Sequence, residues 1–328
     1  MAHTLSVNKK AISDINWGTG ENVLLDWFPE IAEYVHSCGI SQSITTNGSV
    51  SILPNSKKER IYENIEEIDV SIDFSDGDFH NRFRGYNKAF EIASKALEEA
   101  RDHEIKTTIV SVLGTFNAHP QYFQKLLELA EKKDFYLRIN LLVPTRKEIV
   151  KFMASPAQIF SIFKMLFSHS RVASISDNLI FSLFSLNTRY PKLTKFLNYV
   201  GKSYRILPDG AVTPNTYLVN DKWKIENIVG KGINVEDLVF SKQTKRLYEA
   251  ALIESKSKIG GGFERSAMCG GDCYLKYENF QTIYPSKELF EKMLNYIVSK
   301  GKKIELNTVD EETIHSEYLA TSIFAPGD

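Results

Sequence analysis

The 328-residue sequence has little cysteine, no excess of charge of one sign and no long hydrophobic run. Its three cysteines, Cys38, Cys269 and Cys273, are few and odd in number, so we expect no disulfide framework and a reducing, cytoplasmic location. The 40 basic and 41 acidic side chains nearly cancel, which argues against docking of the whole protein on nucleic acid or an anionic membrane. No signal-peptide-like opening and no run of 18 apolar residues occurs, so we expect no membrane span.

What the sequence does have is the composition of a folded protein. Hydrophobic residues make up 43% and charged residues 25%, which provides for a sizeable buried core. The length fits one large α/β domain with a smaller one, or two comparable domains. The scattered histidines show no metal-ligand spacing; they are His36, His103, His119, His169 and His315.

The first 146 residues alternate between strand-like and helix-like segments about five times. The predicted strands are 13–17, 41–46, 67–74, 105–113 and 136–143. The main helical segments between them are 23–38, 85–101 and 120–132, of which the first carries apolar residues at the spacing of one helix face. This order predicts βαβ units and a parallel sheet, open or closed into part of a barrel.

The predicted strands carry a polar face as well as an apolar one. In 67–74 the apolar residues alternate strictly with Glu67, Asp69, Ser71 and Asp73. Burying such groups costs kilocalories each unless partners satisfy them, so a polar lumen in a parallel barrel indicates a ligand. The alternative is an antiparallel sheet with one solvated face, which the long helical connections fit badly.

The rest of the chain divides into further segments. We expect residues 1–150 to form the partial barrel and 151–200 to be a helical segment that completes or covers it. Residues 201–285 begin with a β-hairpin around Pro-Asp-Gly at 208–210 and are loop-rich. Residues 286–328 form a last amphipathic helix and an acidic, weakly patterned tail.

A series of motifs in a fixed order resembles the radical S-adenosylmethionine (radical SAM) enzymes. It consists of the Gly-Thr-Gly-Glu-Asn turn at 18–22, Thr-Thr-Asn-Gly at 45–48, Val-Ser-Ile-Asp at 70–73 and His-x3-Arg-Gly at 80–85. Farther on, 206–214 is similar to the hairpin that opens the C-terminal SPASM or twitch domain of one branch of that family. Cys-Gly-Gly-Asp-Cys at 269–273 is similar to the end of that domain. The resemblance covers roughly residues 10 to 285.

The resemblance implies an α/β fold, a partial (β/α) barrel of about five βα units with a small SPASM/twitch-like domain, that binds S-adenosylmethionine (AdoMet) at the carboxyl ends of its strands. It implies that the turn of Thr19, Gly20 and Glu21 lies near the methionine amino group, and that Ser71 and Arg84 lie near its carboxylate. A guanidinium fork and a hydroxyl suit a carboxylate. The other residues implied for this lumen are Asn47 and Arg138 for binding, with Asp73 and His80 as candidate catalytic groups.

The sequence departs from the family at its reactive centre. The family holds a [4Fe-4S] cluster with Cys-x3-Cys-x2-Cys ahead of the glycine-rich turn, and none of the residues before Gly18 is a cysteine. The cysteines of this chain therefore do not support the core cluster. An auxiliary metal or cluster at Cys269 and Cys273 would need ligands from elsewhere, and two free thiols are the alternative interpretation.

Three functional hypotheses remain. In the first, the chain is the cluster-less part of a radical SAM enzyme that acts on a peptide or small molecule. In the second, it is an inactive relative that keeps the AdoMet or substrate pocket as a binding or partner module, for a peptide or an active homologue. Third, it is a cluster-independent enzyme that uses Asp73, His80 and Arg84 as acid, base and anion clamp. None of the three needs a nucleic acid or a membrane as partner.

Overall fold

The computed structural model describes residues 12–18, 20–144, 146–167, 172–175, 203–213, 221–229, 234, 237–238, 241–244, 246, 287–300 and 319–323. Within them lies one sheet of ten strands: β1 (Ile12–Trp17), β2 (Ser41–Thr46), β3 (Glu67–Ser71), β4 (Lys106–Leu113), β5 (Tyr136–Leu141), β6 (Val172–Ile175), β7 (Ser203–Ile206), β8 (Ala211–Thr213), β9 (Glu226–Asn227) and β10 (Leu319–Ile323). The α-helices are α1 (Phe28–Ser37), α2 (Asn55–Tyr62), α3 (Gly77–Arg84), α4 (Ala89–Asp102), α5 (Pro120–Lys133), α6 (Pro156–Phe167) and α7 (Lys287–Ser299). Short 3-10 helices occupy 22–24, 49–52, 147–152 and 221–223.

The strand order is β6-β5-β4-β3-β2-β1-β10-β7-β8-β9. Every pairing from β6 to β7 along this order is parallel, and the β7-β8-β9 end is antiparallel. The consecutive parallel strands β1 to β5 are joined by helical connections, as βαβ units require. The predicted class, a partial (β/α) barrel fold, is therefore confirmed, and the antiparallel alternative is wrong for this part of the sheet.

The two faces of the sheet differ in polarity. Ile15, Ile44, Ile68, Ile109 and Ile139 are almost fully buried and belong to one continuous core cluster that also contains the helices' inner residues. Because successive side chains on a strand alternate, the residues next to them face the other way. The apolar face thus holds the helices, and the opposite face is left for polar side chains.

On that polar face, side chains of neighbouring strands hydrogen-bond to one another. Asn16 Nδ2 donates to Ser43 Oγ at 2.8 Å, and Thr45 Oγ1 donates to Asp69 Oδ2 at 3.3 Å. Arg138, from β5, reaches across β4 to the same Asp69 oxygen. The polar face is a connected hydrogen-bonded layer, which is how buried polar groups are retained.

The structure adds strands that the sequence patterns did not predict. The segment 151–200, predicted to be helical, contains β6 after α6, and the tail after residue 307 contributes β10 to the sheet. The predicted helix 85–101 begins only at Ala89, because Gly85 closes the separate helix α3. Helices that the structure describes are all too short or too polar to cross a membrane.

Candidate functional site

Helix α3 places its last residues over the carboxyl end of β3. Its first turn is capped by Asp76, whose carboxylate accepts the Phe79 N–H at 3.0 Å. The helix ends at Gly85, which has the left-handed backbone (φ +69°) common at helix C-termini. These two ends hold Arg84 and His80 above Ser71, the last residue of β3, and Asp73, which follows the strand.

Arg84 and Asp73 form a partly buried ion pair. Arg84 Nε donates to Asp73 Oδ2 at 2.8 Å, and its Nη2 lies 2.6 Å from the same oxygen. The other oxygen, Oδ1, accepts the Val112 N–H at 3.0 Å. Burial raises the pKa of Asp73, and the guanidinium and the backbone N–H oppose that rise. The Asp73 side chain has no exposed surface, whereas 29% of the Arg84 side chain is exposed, so the carboxylate anchors an arginine that is open to a ligand.

His80 is buried and neutral. Its Nδ1 accepts the backbone N–H of Asp73 at 3.2 Å, so the ring proton is on Nε2. Burial, together with the nearby Arg84 cation, lowers the pKa of His80 to about 4. The imidazole therefore ties α3 to the end of β3 through Nδ1, and Nδ1 is not available to accept a proton from a substrate.

The turn after β1 contacts the turn after β2. The Glu21 carboxylate accepts hydrogen bonds from the Thr46 hydroxyl and, at 2.9 Å, from the Asn47 N–H. Burial raises the pKa of Glu21, and these two donors oppose the rise. The next residue, Gly48, has φ +100°, and a Cβ there would lie 2.6 Å from Ala93 Cα on α4. Only glycine fits this close approach between the turn and the helix.

A pocket of about 410 Å³ opens at the carboxyl ends of β2 and β3. This volume lies in the range of small-molecule sites. Its lining combines polar and apolar side chains. The pocket is lined by Asn47, Ser49, Ile52, Ser71, His80, Arg84, Tyr86, Ala89 and Ile92.

A second charged cluster lies deeper on the polar face, around Asp69. Arg138 donates to its Oδ2, while Oδ1 has no hydrogen-bond partner among the described residues. Burial raises the pKa of Asp69 to about 6, against the opposing charge of Arg138. Arg138 also approaches Glu67 Oε1 at 3.7 Å. Because Asp69 precedes Ser71 by two residues on the same face of β3, this cluster lies one layer, roughly 7 Å, below the pocket.

The predicted site residues thus fall into two groups. The structure brings Asn47, Ser71, His80 and Arg84 together around the pocket, with Asp73 behind Arg84. Those away from the pocket lining are Gly20 and Glu21 in the neighbouring turn, and Arg138 in the deeper layer. Thr19, Cys269 and Cys273 lie outside the described residues.

The sequence patterns did not identify the apolar lining of the pocket. Ile52 lies in the 3-10 helix after β2, and Ala89 and Ile92 lie in the first turn of α4. Nothing marks these residues as ligand contacts in the sequence, because an apolar residue at a helix start usually packs in the core. The exposure of Ile52, 60%, is the structural signal that distinguishes it.

The described residues do not fit the donor set of a [4Fe-4S] cluster. Cys38 is their one free cysteine, and no group of three His, Cys, Asp or Glu side chains among them could hold a metal. Cys38 follows α1 and precedes β2 by three residues, so it lies at the amino ends of the strands, opposite the pocket. Within this part of the chain, no thiolate cluster can form beside the pocket.

Comparison with known proteins shows what the fold resembles. No protein-family model and no curated protein matches the sequence. Among solved structures, anSMEcpe with bound AdoMet and a Cp18Cys peptide superposes with a TM-score of 0.67 at 18% identity, over 92% of this chain and 87% of that one. Streptococcus suis SuiB bound to S-adenosylmethionine gives 0.61 at 11% identity, over 88% and 68%. SuiB bound to its precursor peptide SuiA gives 0.57 at 11% identity, over 84% and 63%.

These neighbours are radical SAM/SPASM enzymes, and each of them covers most of this chain. At such low identity the similarity concerns the backbone fold. The order of motifs in the sequence and the strand order in the structure agree with it. This chain therefore has the fold of the radical SAM/SPASM enzymes.

Proposed function

We propose that this chain binds AdoMet in the pocket at the carboxyl ends of β2 and β3. The observation that carries the proposal is the pairing of Arg84, held from behind by the buried Asp73, with Ser71 in one pocket of about 410 Å³. The guanidinium and the hydroxyl are donors for the methionine carboxylate. AdoMet bound to structural neighbours of the same fold supports the assignment.

The remaining lining suits the rest of such a ligand. Ile52, Ala89 and Ile92 offer an apolar wall for a flat ring system and a methylene chain. His80 is neutral, so it adds no positive charge next to the sulfonium of AdoMet. The pocket therefore has one cation for the carboxylate and an uncharged wall for the cationic centre.

We propose further that the chain holds AdoMet next to a peptide. The neighbours anSMEcpe and SuiB are described with bound peptides, which supports a peptide over a free small molecule. The chain's own residues provide binding and orientation; its described residues supply no cluster that could pass an electron to AdoMet. Of the three hypotheses, a module that keeps the AdoMet and substrate site is the best supported for these residues.

Acid and base chemistry by Asp73 and His80 is less well supported. Asp73 uses both carboxylate oxygens, on Arg84 and on the Val112 N–H. His80 Nδ1 accepts the Asp73 N–H. A general base needs a free acceptor within hydrogen-bond reach of the substrate, and neither residue offers one in this arrangement.

Isothermal titration of the purified chain with AdoMet tests the proposal. We expect saturable binding that weakens roughly tenfold in Ser71→Ala, the loss of about one hydrogen bond to a charged group. Arg84→Lys should also weaken it, because lysine keeps the ion pair with Asp73 but loses the fork geometry.

The matched control is Ser41→Ala, since Ser41 begins β2 at the opposite end of the strands. It should bind AdoMet like the original chain. Circular dichroism checks that all variants stay folded. No binding by the original chain, or equal affinity in Ser71→Ala and Ser41→Ala, would contradict the proposal.

A further inference from the structure

A group of exposed aromatic side chains lies beside the pocket. Phe79, Phe83 and Tyr86 on and after α3 are 41%, 42% and 50% exposed, and Phe152 is 40% exposed. With Phe116 they form what we call the aromatic rim. Rings of this size are normally buried, so a contiguous exposed group of them indicates an interaction surface.

The rim adjoins the proposed AdoMet site, and the Phe79 and Phe83 rings both pack on the buried Phe74 ring, at 6.0 and 5.7 Å between centroids. The rings of Phe83 and Phe116 lie 4.6 Å apart between centroids. Phe152 lies near Phe116, because the Phe152 carbonyl accepts the N–H of the preceding residue, Thr115, at 2.8 Å. Tyr86 lines the AdoMet pocket and also a second, open depression of about 590 Å³. A ligand that extends out of the pocket therefore passes over the rim.

Cations lie on the rings of the rim. Arg82 covers the face of Phe79 at 4.7 Å, Arg84 lies over Phe83 at 5.8 Å, and Lys151 Nζ lies over Phe152 at 5.0 Å. Arg82 donates through Nε to the Asp78 carbonyl at 3.3 Å, and its other nitrogens have no protein partner in the described part of the chain. The surface thus alternates apolar rings with positive groups that can still donate hydrogen bonds.

The second depression also contains an acidic side chain. Its lining is Asp78, Asn81, Arg82, Gly85, Tyr86 and Asn87. Asp78 is exposed in the first turn of α3, where a carboxylate is favourable to the helix dipole. The cations on the rings, not this carboxylate, lie along the aromatic rim, and they decide the preferred charge of a ligand.

Stacking of nucleic-acid bases is disfavoured by the same geometry. Base recognition by aromatic residues needs open ring faces. Here one face of Phe79, Phe83 and Phe152 is already occupied by a cation of the same chain, and Phe83 packs on Phe116 as well. The cations take up one face of each ring and attract carboxylates, which favours acidic and aliphatic side chains over stacked bases.

We propose that the aromatic rim binds an extended peptide segment that presents both carboxylate and apolar side chains on the side facing the rim. The carboxylates pair with Arg82 and Lys151, and the apolar side chains pack on the edges of Phe79, Phe83 and Phe152. This proposal names the chemical class of the peptide. It rests on the proposed function, which assigns AdoMet to the neighbouring pocket.

Fluorescence anisotropy with the full chain tests this. The probe is a fluorescein-labelled Glu-Leu peptide of about ten residues built from Glu-Glu-Leu-Leu repeats, which places both residue types on each side of the chain and spans roughly 33 Å when extended. We expect it to bind, and a Lys-Leu peptide of equal length to bind at least about tenfold more weakly. Arg82→Glu and Phe79→Ala should each weaken binding of the Glu-Leu peptide by roughly tenfold.

The matched control is Val298→Ala, which trims an exposed apolar side chain (55% exposed) on α7. It should leave peptide binding unchanged. Equal binding of both peptides, no effect of Arg82→Glu, or tighter binding of a single-stranded RNA of about ten nucleotides would overturn the proposal.

AdoMet affinity is measured on the same samples. Neither Arg82 nor Phe79 lines the AdoMet pocket, so AdoMet affinity should not change in these variants. Loss of AdoMet binding with intact peptide selectivity would refute the proposed function alone.

Discussion

At the scale of single residues, the site is built from carboxylates that hold arginines. Asp73 and Asp69 have no exposed side-chain surface, and each contacts an arginine that is 29% exposed. Removing one partner from such a pair leaves the other charge uncompensated, which costs roughly 3–5 kcal/mol when the group is buried. The carboxylates therefore fix the orientation of Arg84 and Arg138.

Asp69 should make stability depend on pH. Its pKa is raised from 3.8 to about 6, so the folded state holds a proton that the unfolded state releases. The stability from this group is present below about pH 4 and is lost as the pH rises through about 6, up to ~3 kcal/mol in all. In Asp69→Asn, urea unfolding between about pH 4 and 7 should show a shallower fall in unfolding free energy.

The control for this titration is Asp102→Asn, since the Asp102 side chain is 71% exposed. That variant should keep the full pH dependence of the original chain. The difference in unfolding free energy between a variant and the original chain, followed over pH, isolates the contribution of one carboxyl group from those of the others. A pH profile of Asp69→Asn that runs parallel to the original would show that Asp69 is not protonated in the folded protein near pH 5.

Residue types in the sequence predicted some of these contacts and missed others. The resemblance to the radical SAM enzymes implied that Ser71, Asp73, His80 and Arg84 share one lumen, and the structure groups them. Contacts between distant residues were not predictable. Glu21, for example, contacts Thr46 and Asn47, which are 25 or more residues away in sequence, because two turns pack together. Such long-range pairs depend on how strands are ordered, and local patterns carry no information on that.

At the scale of elements, the turn after β2 sets the position of the pocket wall. Gly48 should be intolerant of substitution for a reason beyond its φ of +100°. Its added Cβ in Gly48→Ala would clash with the backbone of α4 at 2.6–2.9 Å, and a helix backbone cannot move aside cheaply. We expect a loss of more than ~2 kcal/mol in unfolding free energy.

Gly39→Ala is the comparison for that variant. Gly39 also has a positive φ, +72°, but nothing lies within 4 Å of an added Cβ. Its cost should be the backbone strain alone, about 1 kcal/mol. Guanidinium unfolding of both variants measures the two losses. Similar losses would show that the contact between the turn and α4 is looser than described, and that strain alone explains the glycine at 48.

Element positions were largely predictable where periodicity was strong. The predicted strand 41–46 coincides with β2, and the predicted helix 120–132 differs from α5 by one residue. Strand β6 was missed because its four residues interrupt a segment whose composition favours helix. Strand β10 was missed because its pairing partners, β1 and β7, are distant in sequence.

At the scale of the whole molecule, β10 joins the part of the sheet that ends at β1 to the part that begins at β7. It pairs in parallel with β1 on one side and with β7 on the other, and β1 and β7 have no direct pairing. Removing it would expose the edges of two strands at once. Exposed edges lose ladder hydrogen bonds and promote association between chains.

Truncation after residue 318 should therefore destabilise the protein and make it associate. We expect the melting temperature to fall by roughly 5 °C or more, and light scattering to show aggregates. Truncation after residue 323 keeps β10 and is the matched control, which should melt like the full sequence. If the shorter chain melts at the same temperature and forms no aggregates, β10 does not hold the sheet together.

The position of β10 also has a consequence for the order in which the molecule forms. Strands β1 to β5 lie within the first 141 residues and pair with near neighbours in sequence, so they can associate early. The opposite side of β1 waits for residues about 300 positions later. During synthesis, the growing chain therefore carries an unsatisfied strand edge on β1 until β10 is made, and that is the interval in which a chaperone would be needed most.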